Sequence, residues 1–304
     1  MKPKRTLIMT IPETGSALLP AYFPAPDLGD SSWDIRILRK VAPLATTPLI
    51  GPDLARKPSY IGVIDCEATS TDPHTAEVID LAVCVLEIDN VGVITGVAEL
   101  KQSLRDPGMP IPKDVTRLTG ISDADVAGAQ FDAQDWTHLF MECDLLVAHN
   151  AAYDAVVLER LLPGIRGMHW ACSMSEIDWA GLGFDGKTLG YLLTQIGFYS
   201  KGHRAMADVT SLVHLLSWQG PDGRCLLAHL RDRADRITTK VEALNAPFSR
   251  KDMLKARGYK WNSKRRVWWA EIEDDALEEE KRWLTDEVRC TPSLEFLTSA
   301  GRHR

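Results

Sequence analysis

Long apolar runs are missing from this sequence of 304 residues. No stretch approaches the roughly eighteen consecutive apolar residues of a membrane-spanning helix, so no membrane association is expected. The apolar patch at residues 6–11 follows a basic start but is too short for the core of a signal peptide. We therefore expect a cytoplasmic protein.

Cysteine pairs with the spacing of a metal site or a disulfide framework are also missing. The six cysteines are widely scattered, and no two of them are separated by only two residues. In a chain of this length, such a distribution favours buried reduced thiols over disulfides or a zinc site.

The sequence also has no overall excess of positive charge. The formal net charge is −7, which argues against a protein that coats nucleic acid. The charge is unevenly spread, however. Residues 1–245 carry 22 Lys and Arg against 31 Asp and Glu, whereas residues 246–304 carry 13 against 11. The locally basic C-terminal part therefore needs its own explanation.

The pattern of apolar residues predicts an α/β protein, because 45% apolar and 25% charged residues are typical of a packed globular chain. Strands are predicted at residues 60–64, 78–88, 91–100, 145–148 and 170–172. Helices are predicted at residues 127–141, 151–162, 188–196 and 204–218. Antiparallel strands followed by alternating helices and strands indicate a mixed sheet flanked by helices.

Five segments are predicted along the chain. They are an N-terminal extension (1–57) with a short helix at 33–41, a main α/β domain (58–220), a connecting helix (221–235), a small β-α-β-α module (236–290) and a tail (291–304). The module is predicted from strands at 237–244 and 267–272 and helices at 250–257 and 275–288.

The first chemically informative motif is Asp65-Cys66-Glu67, at the end of the first buried strand. Side chains alternate along a strand, so Asp65 and Glu67 point to one face and Cys66 to the other. Two neighbouring carboxylates repel each other unless a cation lies between them, and divalent cations such as Mg²⁺ prefer oxygen ligands. In isolation, this motif is more often a solvated strand end.

Two further acids begin later helices. Asp154 lies in the first turn after His149-Asn150, where a helix start alone would favour a carboxylate. Asp208 opens the last long helix of the main domain, and His203 lies five residues before it on a loop. A histidine in such a place is ordinarily a surface or capping residue.

Taken together over residues 60–218, these motifs and the segment Leu118-Thr119-Gly120-Ile121 resemble the DnaQ-like, or DEDDh, 3′–5′ exonuclease family. Its members include the proofreading epsilon subunit of bacterial DNA polymerase III. The resemblance implies a ribonuclease H-like fold with a mixed five-stranded sheet flanked by helices. It also implies release of nucleoside 5′-monophosphates from 3′ ends.

The resemblance assigns roles to the individual residues as well. Asp65, Glu67, Asp154 and Asp208 would hold two Mg²⁺ or Mn²⁺ ions, and His203 would take the proton of the attacking water. Substrate contacts are expected at Ala68, Thr69, Leu118 and Asn150. Strand-end packing for Thr69, core packing for Leu118 and helix capping for Asn150 are the alternatives.

The basic C-terminal segment contains eight Lys and Arg and one acid between residues 250 and 266. Aromatic residues lie among the cations, an arrangement that suits phosphate contacts and base stacking. The segment from Lys255 to Trp269 is similar to HARP-like motifs of DNA-remodelling proteins. The predicted contacts with nucleic acid are Lys260, Trp261, Arg265, Arg266 and Trp268. The alternative is a small domain with a tryptophan core and a solvated basic face.

The sequence favours DNA over RNA as the partner but leaves three functions open. The first is a DNA 3′–5′ exonuclease, and the second is an exoribonuclease with the same chemistry. The third is a non-catalytic nucleic-acid-binding or polymerase-associated subunit, against which the retained carboxylates and histidine argue. Protein partners are not predicted.

Overall fold

The computed structural model describes residues 37–47 and 59–304 of the chain. Most of the predicted N-terminal extension (1–57) therefore lies outside the described residues. The chain divides into two compact units. The first unit is Met1–Arg233 with His303–Arg304, and the second unit is Ala234–Arg302. No helix of the described residues is both long and apolar enough to cross a membrane.

The described part of the first unit contains the strands Arg39–Lys40 (β1), Ser59–Ala68 (β2), Val78–Ile88 (β3), Ile94–Leu104 (β4), Leu145–Ala148 (β5), Trp170–Cys172 (β6) and Phe198–Tyr199 (β7). Five of them form one sheet in the order β4-β3-β2-β5-β6. Strand β2 is antiparallel to β3 and parallel to β5. The β3–β4 pair is antiparallel and the β5–β6 pair is parallel. This confirms the predicted mixed five-stranded sheet.

Strand β1 corrects one local prediction. A helix was predicted at 33–41, but Arg39–Lys40 pair in parallel with β7 instead. The peptide N–H groups of Arg39 and Val41 donate to carbonyl groups of the β7 segment at 2.9 Å. These backbone groups are therefore satisfied by a distant strand rather than by a local helix. Residues 33–36 lie outside the described part.

The described helices of the first unit are Lys113–Thr119 (α1), Asp123–Val126 (α2), Ala133–Met141 (α3), Ala151–Leu161 (α4), Ser173–Glu176 (α5), Leu189–Gln195 (α6), Ala205–Leu216 (α7) and Leu226–Ala234 (α8). Large, fully buried side chains fill the core between the sheet and the helices, among them Ile64, Leu81, Trp136, Phe140 and Leu158. Helix α7 packs against β2 and β3. The buried runs that predicted the strands therefore form the centre of the unit.

Two elements begin later than predicted because aspartate side chains cap the backbone. Helix α3 begins at Ala133 rather than at residue 127, since Asp132 accepts hydrogen bonds from the two peptide N–H groups at positions 134 and 135. Strand β4 begins at Ile94 rather than at residue 91. There Asp89 accepts from the N–H groups of residues 91 and 93 and closes a longer turn.

The second unit contains the strands Thr238–Leu244 (β8), Lys260–Asn262 (β9), Val267–Glu273 (β10) and Thr291–Leu297 (β11) and the helices Lys251–Ala256 (α9) and Leu277–Trp283 (α10). The strands form an antiparallel sheet in the order β11-β8-β10-β9. Its core includes Val241, Leu254, Ala270 and Leu284. The four predicted elements are present, and β9 and β11 add to them. Both additions are edge strands, which carry little apolar alternation and tolerate a proline such as Pro292.

Candidate active site

Asp65 and Glu67 lie in the C-terminal half of β2, the central strand of the sheet. Because side chains alternate along the strand, the two carboxylates share one face, and Cys66 points to the other. Strand β2 runs parallel to β5, with Val63 opposite Val147. The C-terminal ends of the two strands therefore meet at one edge of the sheet, and this edge receives the residues that follow β5.

Helix α7 brings Asp208, in its first turn, to the same place. One carboxylate oxygen each of Asp65, Glu67 and Asp208 lie within 4.8 Å of one another. The Oδ2 atom of Asp208 also accepts hydrogen bonds from the peptide N–H groups of His203 at 2.7 Å and Arg204 at 3.3 Å. The carboxylate is therefore fixed by the loop that precedes its own helix.

The pKa values of these acids are raised by burial and mutual repulsion. Burial and then the charges of Asp154, Asp208 and Glu67 raise the pKa of Asp65 well above its ordinary value. Burial, followed by the charges of Asp208 and Asp80, raises the pKa of Glu67 to about 7. Burial also raises the pKa of Asp208, against the opposing effect of its hydrogen bonds. A divalent cation between the oxygens would relieve this repulsion, so the donor set fits Mg²⁺ or Mn²⁺.

Asp154 is not part of the group of three carboxylates. It is buried in the first turn of α4, and its Oδ1 atom accepts a hydrogen bond from the Cys66 thiol at 3.2 Å. Burial raises the pKa of Asp154 to about 7. Burial and the nearby acids hold the pKa of Cys66 well above its ordinary value, so the thiol keeps the proton that it donates. Of the neighbouring charges, Asp154 raises the pKa of Asp65 most, which places it within electrostatic reach of the cluster.

His203 lies on the loop before α7, and it is exposed. Its φ of 67° is in the left-handed region, which few residues other than glycine adopt. The hydrogen bond from its peptide N–H to Asp208 stabilises this conformation. The loop therefore presents an exposed histidine next to one of the three clustered carboxylates.

Asp80 is a site residue that the sequence interpretation missed. It pairs with Glu67 across β2 and β3 and is fully buried. Its carboxylate accepts hydrogen bonds from Gln102 Nε2 at 2.8 and 2.9 Å, from Arg204 Nε at 3.2 Å and from the Ala205 peptide N–H at 3.3 Å. The sheet thus holds the start of α7 through one buried acid. The available signal was an acid inside an otherwise apolar strand.

His149, also without a predicted role, fixes the junction between β5 and α4. Its Nδ1 lies 2.8 Å from Ser173 Oγ, and its Nε2 lies 2.7 Å from the carbonyl oxygen of Lys187. Burial lowers the pKa of His149, which favours the neutral ring. A neutral ring has one N–H, so Nε2 donates to the carbonyl and Nδ1 accepts from the hydroxyl. The ring therefore links the β5–α4 junction to the chain segments that contain Ser173 and Lys187.

The predicted substrate contacts have different surroundings. Leu118 on α1 is 56% exposed and so is not a core residue. Asn150 precedes α4 without a capping hydrogen bond from its side chain. Thr69 is buried, and its hydroxyl oxygen accepts from the Glu77 peptide N–H at 3.0 Å. Ala68 lies beside it at the irregular end of β2. Leu118 and Asn150 therefore have the more available side chains.

In the second unit, some of the predicted contact residues are exposed, whereas others are engaged in contacts within the unit. Trp268 packs against the core, whereas Trp261, opposite it on β9, is 49% exposed. Arg265 Nη1 lies 2.6 Å from Oε1 of the buried Glu242. Lys260 and Arg266 are exposed. The unit therefore uses Trp268 and Arg265 structurally and leaves the other three exposed.

Comparison with known proteins places this site in a family. The family model described as Exonuclease matches residues 63–216, which include all four predicted metal ligands and His203. DNA polymerase III subunit epsilon of Aquifex aeolicus is 31% identical over 156 residues, covering 49% of this chain and 74% of that protein. A DNA polymerase III subunit epsilon-like protein of Rhodobacter capsulatus is 35% identical over 119 residues, covering 38% of this chain but only 16% of that protein.

A solved structure of E. coli exonuclease I in complex with a dA16 oligonucleotide aligns with a TM-score of 0.46 at 11% identity. The alignment covers 77% of this chain and 68% of that one. The family-model match spans half of the chain, and the Aquifex relative is covered over most of its length. On these two matches, the chain belongs to the exonuclease family, as a DnaQ-like 3′–5′ exonuclease.

Proposed function

We propose that this enzyme removes nucleoside 5′-monophosphates from the 3′ ends of DNA. The observation that supports the proposal most directly is the convergence of Asp65, Glu67 and Asp208 within 4.8 Å, inside the region matched by the exonuclease family. The preference for DNA rests on the two relatives named as DNA polymerase III epsilon or epsilon-like proteins. An exoribonuclease is the alternative that shares this chemistry.

In this proposal, Asp65, Glu67, Asp154 and Asp208 hold two divalent cations, Mg²⁺ or Mn²⁺. Such a pair supplies activation of water and stabilisation of charge on the attacked phosphoryl group and the leaving oxygen. The protein contributes orientation. Asp208 is held by two peptide N–H groups and Asp154 by the Cys66 thiol. The buried Asp80 holds the helix that carries Asp208.

His203 is the proposed base that takes a proton from the attacking water. Histidine suits this task because imidazole gains and loses a proton near neutral pH. Its exposure leaves the ring accessible, and its peptide N–H bond to Asp208 ties it to the cluster. We expect the His203→Ala variant to lose about 10²- to 10⁴-fold in kcat, the usual contribution of a general base.

The substrate contacts are proposed from exposure and free hydrogen-bonding groups. Leu118 packs against the terminal bases, since its side chain is largely exposed. Asn150 contacts the sugar-phosphate backbone, since its side chain makes no capping hydrogen bond to α4. Ala68 and Thr69 lie beside the terminal nucleotide. The Thr69 hydroxyl oxygen already accepts a hydrogen bond, so the hydroxyl proton is the group that it offers.

The test uses 5′-labelled single-stranded DNA, duplex DNA and RNA of matched sequence, each with Mg²⁺, Mn²⁺ or EDTA. We expect a ladder that shortens from the 3′ end, stops in EDTA and is fastest on DNA. The Asp65→Asn variant should abolish cleavage while the fold is retained. Asp286→Asn, the same chemical change at an exposed position of the second unit, is the matched control and should keep full activity.

Three results would contradict parts of this proposal. Faster cleavage of RNA than of DNA would indicate that RNA is the preferred substrate. Substantial activity of Asp65→Asn would refute the metal assignment. No cleavage of any polymer with either cation would favour a non-catalytic nucleic-acid-binding subunit.

A further inference from the structure

The basic segment of the second unit separates into paired and unpaired cations. Arg257 Nε donates to the buried Glu280 at 2.8 Å, and its guanidinium lies 4.5 Å from the ring centre of Trp283. Arg265 pairs with the buried Glu242. These two cations compensate buried carboxylates and belong to the framework of the unit. They are not available as free charges for a ligand.

Four other cations are exposed and form no ion pair within the described chain. They are Lys255, Lys260, Lys264 and Arg266. Lys255 is on α9, Lys260 is on β9, and the other two lie in the turn between β9 and β10. Lys255 Nζ lies 6.0 Å from the ring centre of Trp268, which places this helix residue near the β9–β10 hairpin. The free positive charge therefore gathers around one hairpin.

An exposed ring lies among these charges. Trp261 is on β9, the outermost strand of its sheet, and is 49% exposed. Its ring centre lies 5.4 Å from that of Trp268, which is anchored in the core. The indole is thus supported from one side and open to solvent on the other. A half-exposed tryptophan held in this way is suited to stacking with a flat ligand.

The turn itself is held in one conformation. Asn262 Oδ1 accepts the peptide N–H of Arg265 at 2.9 Å, and Arg266 adopts a left-handed φ of 54°. Such an ordered turn presents its cations without a large loss of backbone entropy on binding. Lys260 points to the opposite face of β9 from Trp261, and its Nζ lies 5.6 Å from the ring centre of Trp269. Lys255, Trp261, Lys264 and Arg266 are referred to below as the hairpin surface.

We propose that the hairpin surface of the second unit binds single-stranded nucleic acid. Cations complement the phosphates, and the exposed indole stacks with an unpaired base. A duplex hides its base faces and would use the charges only. An acidic peptide would supply anions without the flat rings that Trp261 fits. The choice of nucleic acid over other polyanions rests on the proposed function.

The test measures binding without cleavage. Full-length Asp65→Asn protein in EDTA is titrated against labelled single-stranded DNA, RNA and duplex DNA, by fluorescence anisotropy at several salt concentrations. The combined change Lys255→Gln, Lys264→Gln and Arg266→Gln should weaken single-strand binding. It should also reduce the slope of log K against log salt by about 0.7 for each phosphate that the protein no longer neutralises.

The matched control replaces cations of the same unit outside the hairpin surface, Lys281→Gln and Arg282→Gln, and should keep the affinity and the slope. Trp261→Ala should weaken single-strand binding by about 5- to 150-fold, the range for removal of one base stack, and duplex binding much less. Trp261→Phe keeps an aromatic face and should retain most of the affinity. Where the alanine variant unfolds the unit, the triple variant carries the test.

Any of three results would overturn the proposal. The first is unchanged affinity and salt slope in the triple variant. The second is an equal loss in the Lys281 and Arg282 control, which would indicate a general charge effect. The third is a loss of duplex binding in Trp261→Ala as large as the loss of single-strand binding, which would exclude stacking. Because the protein is inactive and free of metal in this test, failure of the proposed exonuclease reaction would not alter the readout.

Discussion

At the scale of single residues, the site depends on how closely the backbone approaches Asp208. Gly202 lies so near that a Cβ atom at this position would be 3.0 Å from Asp208 Oδ1. This contact is with a candidate ligand atom, since Oδ2 is already used by the peptide N–H groups of the loop. A methyl group at position 202 would therefore press on the carboxylate, which would have to shift by a few tenths of an ångström.

We expect Gly202→Ala to raise the Mn²⁺ or Mg²⁺ concentration needed for half-maximal cleavage by about tenfold, in the range for a disturbed metal ligand. Activity at saturating metal should recover in part, because the carboxylate is moved and not removed. Gly190→Ala, where a Cβ would meet nothing within 4 Å, is the matched control. An unchanged metal dependence in Gly202→Ala would show that Oδ1 of Asp208 is not a ligand.

At the scale of elements, the sequence predicted the sheet well because its strands are buried on both faces. Such strands contain continuous apolar runs, as in residues 81–86, and these runs can be recognised in the sequence without knowledge of the neighbouring strands. The candidate cluster was predictable for a related reason. A polar motif at a strand end and two acids at helix starts project from positions that the sheet brings to one edge.

Asp80 could not be assigned in the same way. Its importance comes from the register that sets it opposite Glu67 and from the approach of Arg204, 124 positions away in the chain. Both are tertiary facts that no local pattern contains. The same holds for Arg265, which looked like a free cation in the sequence but pairs with the buried Glu242. Contacts made by charged residues across elements were the part that could not be predicted.

The link between sheet and helix through Asp80 leads to a second prediction. Asp80→Asn should keep the shape but lose the charge that holds Arg204 and the start of α7. We expect kcat to fall by about 10- to 100-fold with a smaller change in KM, as for groups that orient a ligand from behind. Arg204→Ala should have a similar effect, and the double variant should be far from additive.

Glu87→Gln, on the same strand but hydrogen-bonded to Thr95 instead of α7, is the control and should leave kcat unchanged. A uniform fall in thermal stability of Asp80→Asn without any change in kcat would reduce Asp80 to a purely structural residue.

The ion pair between Arg265 and Glu242 leads to a third prediction. Arg265→Gln would leave the buried Glu242 with Lys240 alone, at 3.7 Å. We expect a loss of about 1–3 kcal/mol in the free energy of unfolding of the second unit, the cost of a poorly satisfied buried polar group. The double variant Arg265→Gln, Glu242→Gln should recover part of the loss. Denaturant unfolding measures both, and no loss in the single variant would contradict a structural role for Arg265.

At the scale of the whole molecule, the carboxylate cluster couples metal binding to folding. The acids of the site are not compensated by enough cations in the described chain, as the raised pKa values of Asp65, Glu67 and Asp154 show. The carboxylates of the folded protein therefore repel one another, and this repulsion is absent in the unfolded chain. This repulsion destabilises the metal-free protein, but it also favours the binding of divalent cations, which the proposed function needs.

This coupling sets the pH dependence of stability. The pKa values of Glu67 and Asp154 are about 7 in the folded state, against ordinary values of 4.5 and 3.8. Between these limits, the folded state binds more protons than the unfolded state, so stability falls as pH rises. We expect the unfolding midpoint of the first unit in EDTA to be lower at pH 8 than at pH 5.5, as measured by thermal denaturation.

Mg²⁺ or Mn²⁺ should reverse this trend, because the cations bind the ionised carboxylates of the native state only. The increase in the unfolding midpoint on adding metal should therefore be larger at pH 8 than at pH 5.5. In Asp65→Asn, the pH dependence in EDTA should be weaker and the effect of metal smaller, since one acid of the cluster is gone. Identical pH dependence in EDTA and in saturating metal would mean that these carboxylates do not form the metal site, whatever the enzyme cleaves.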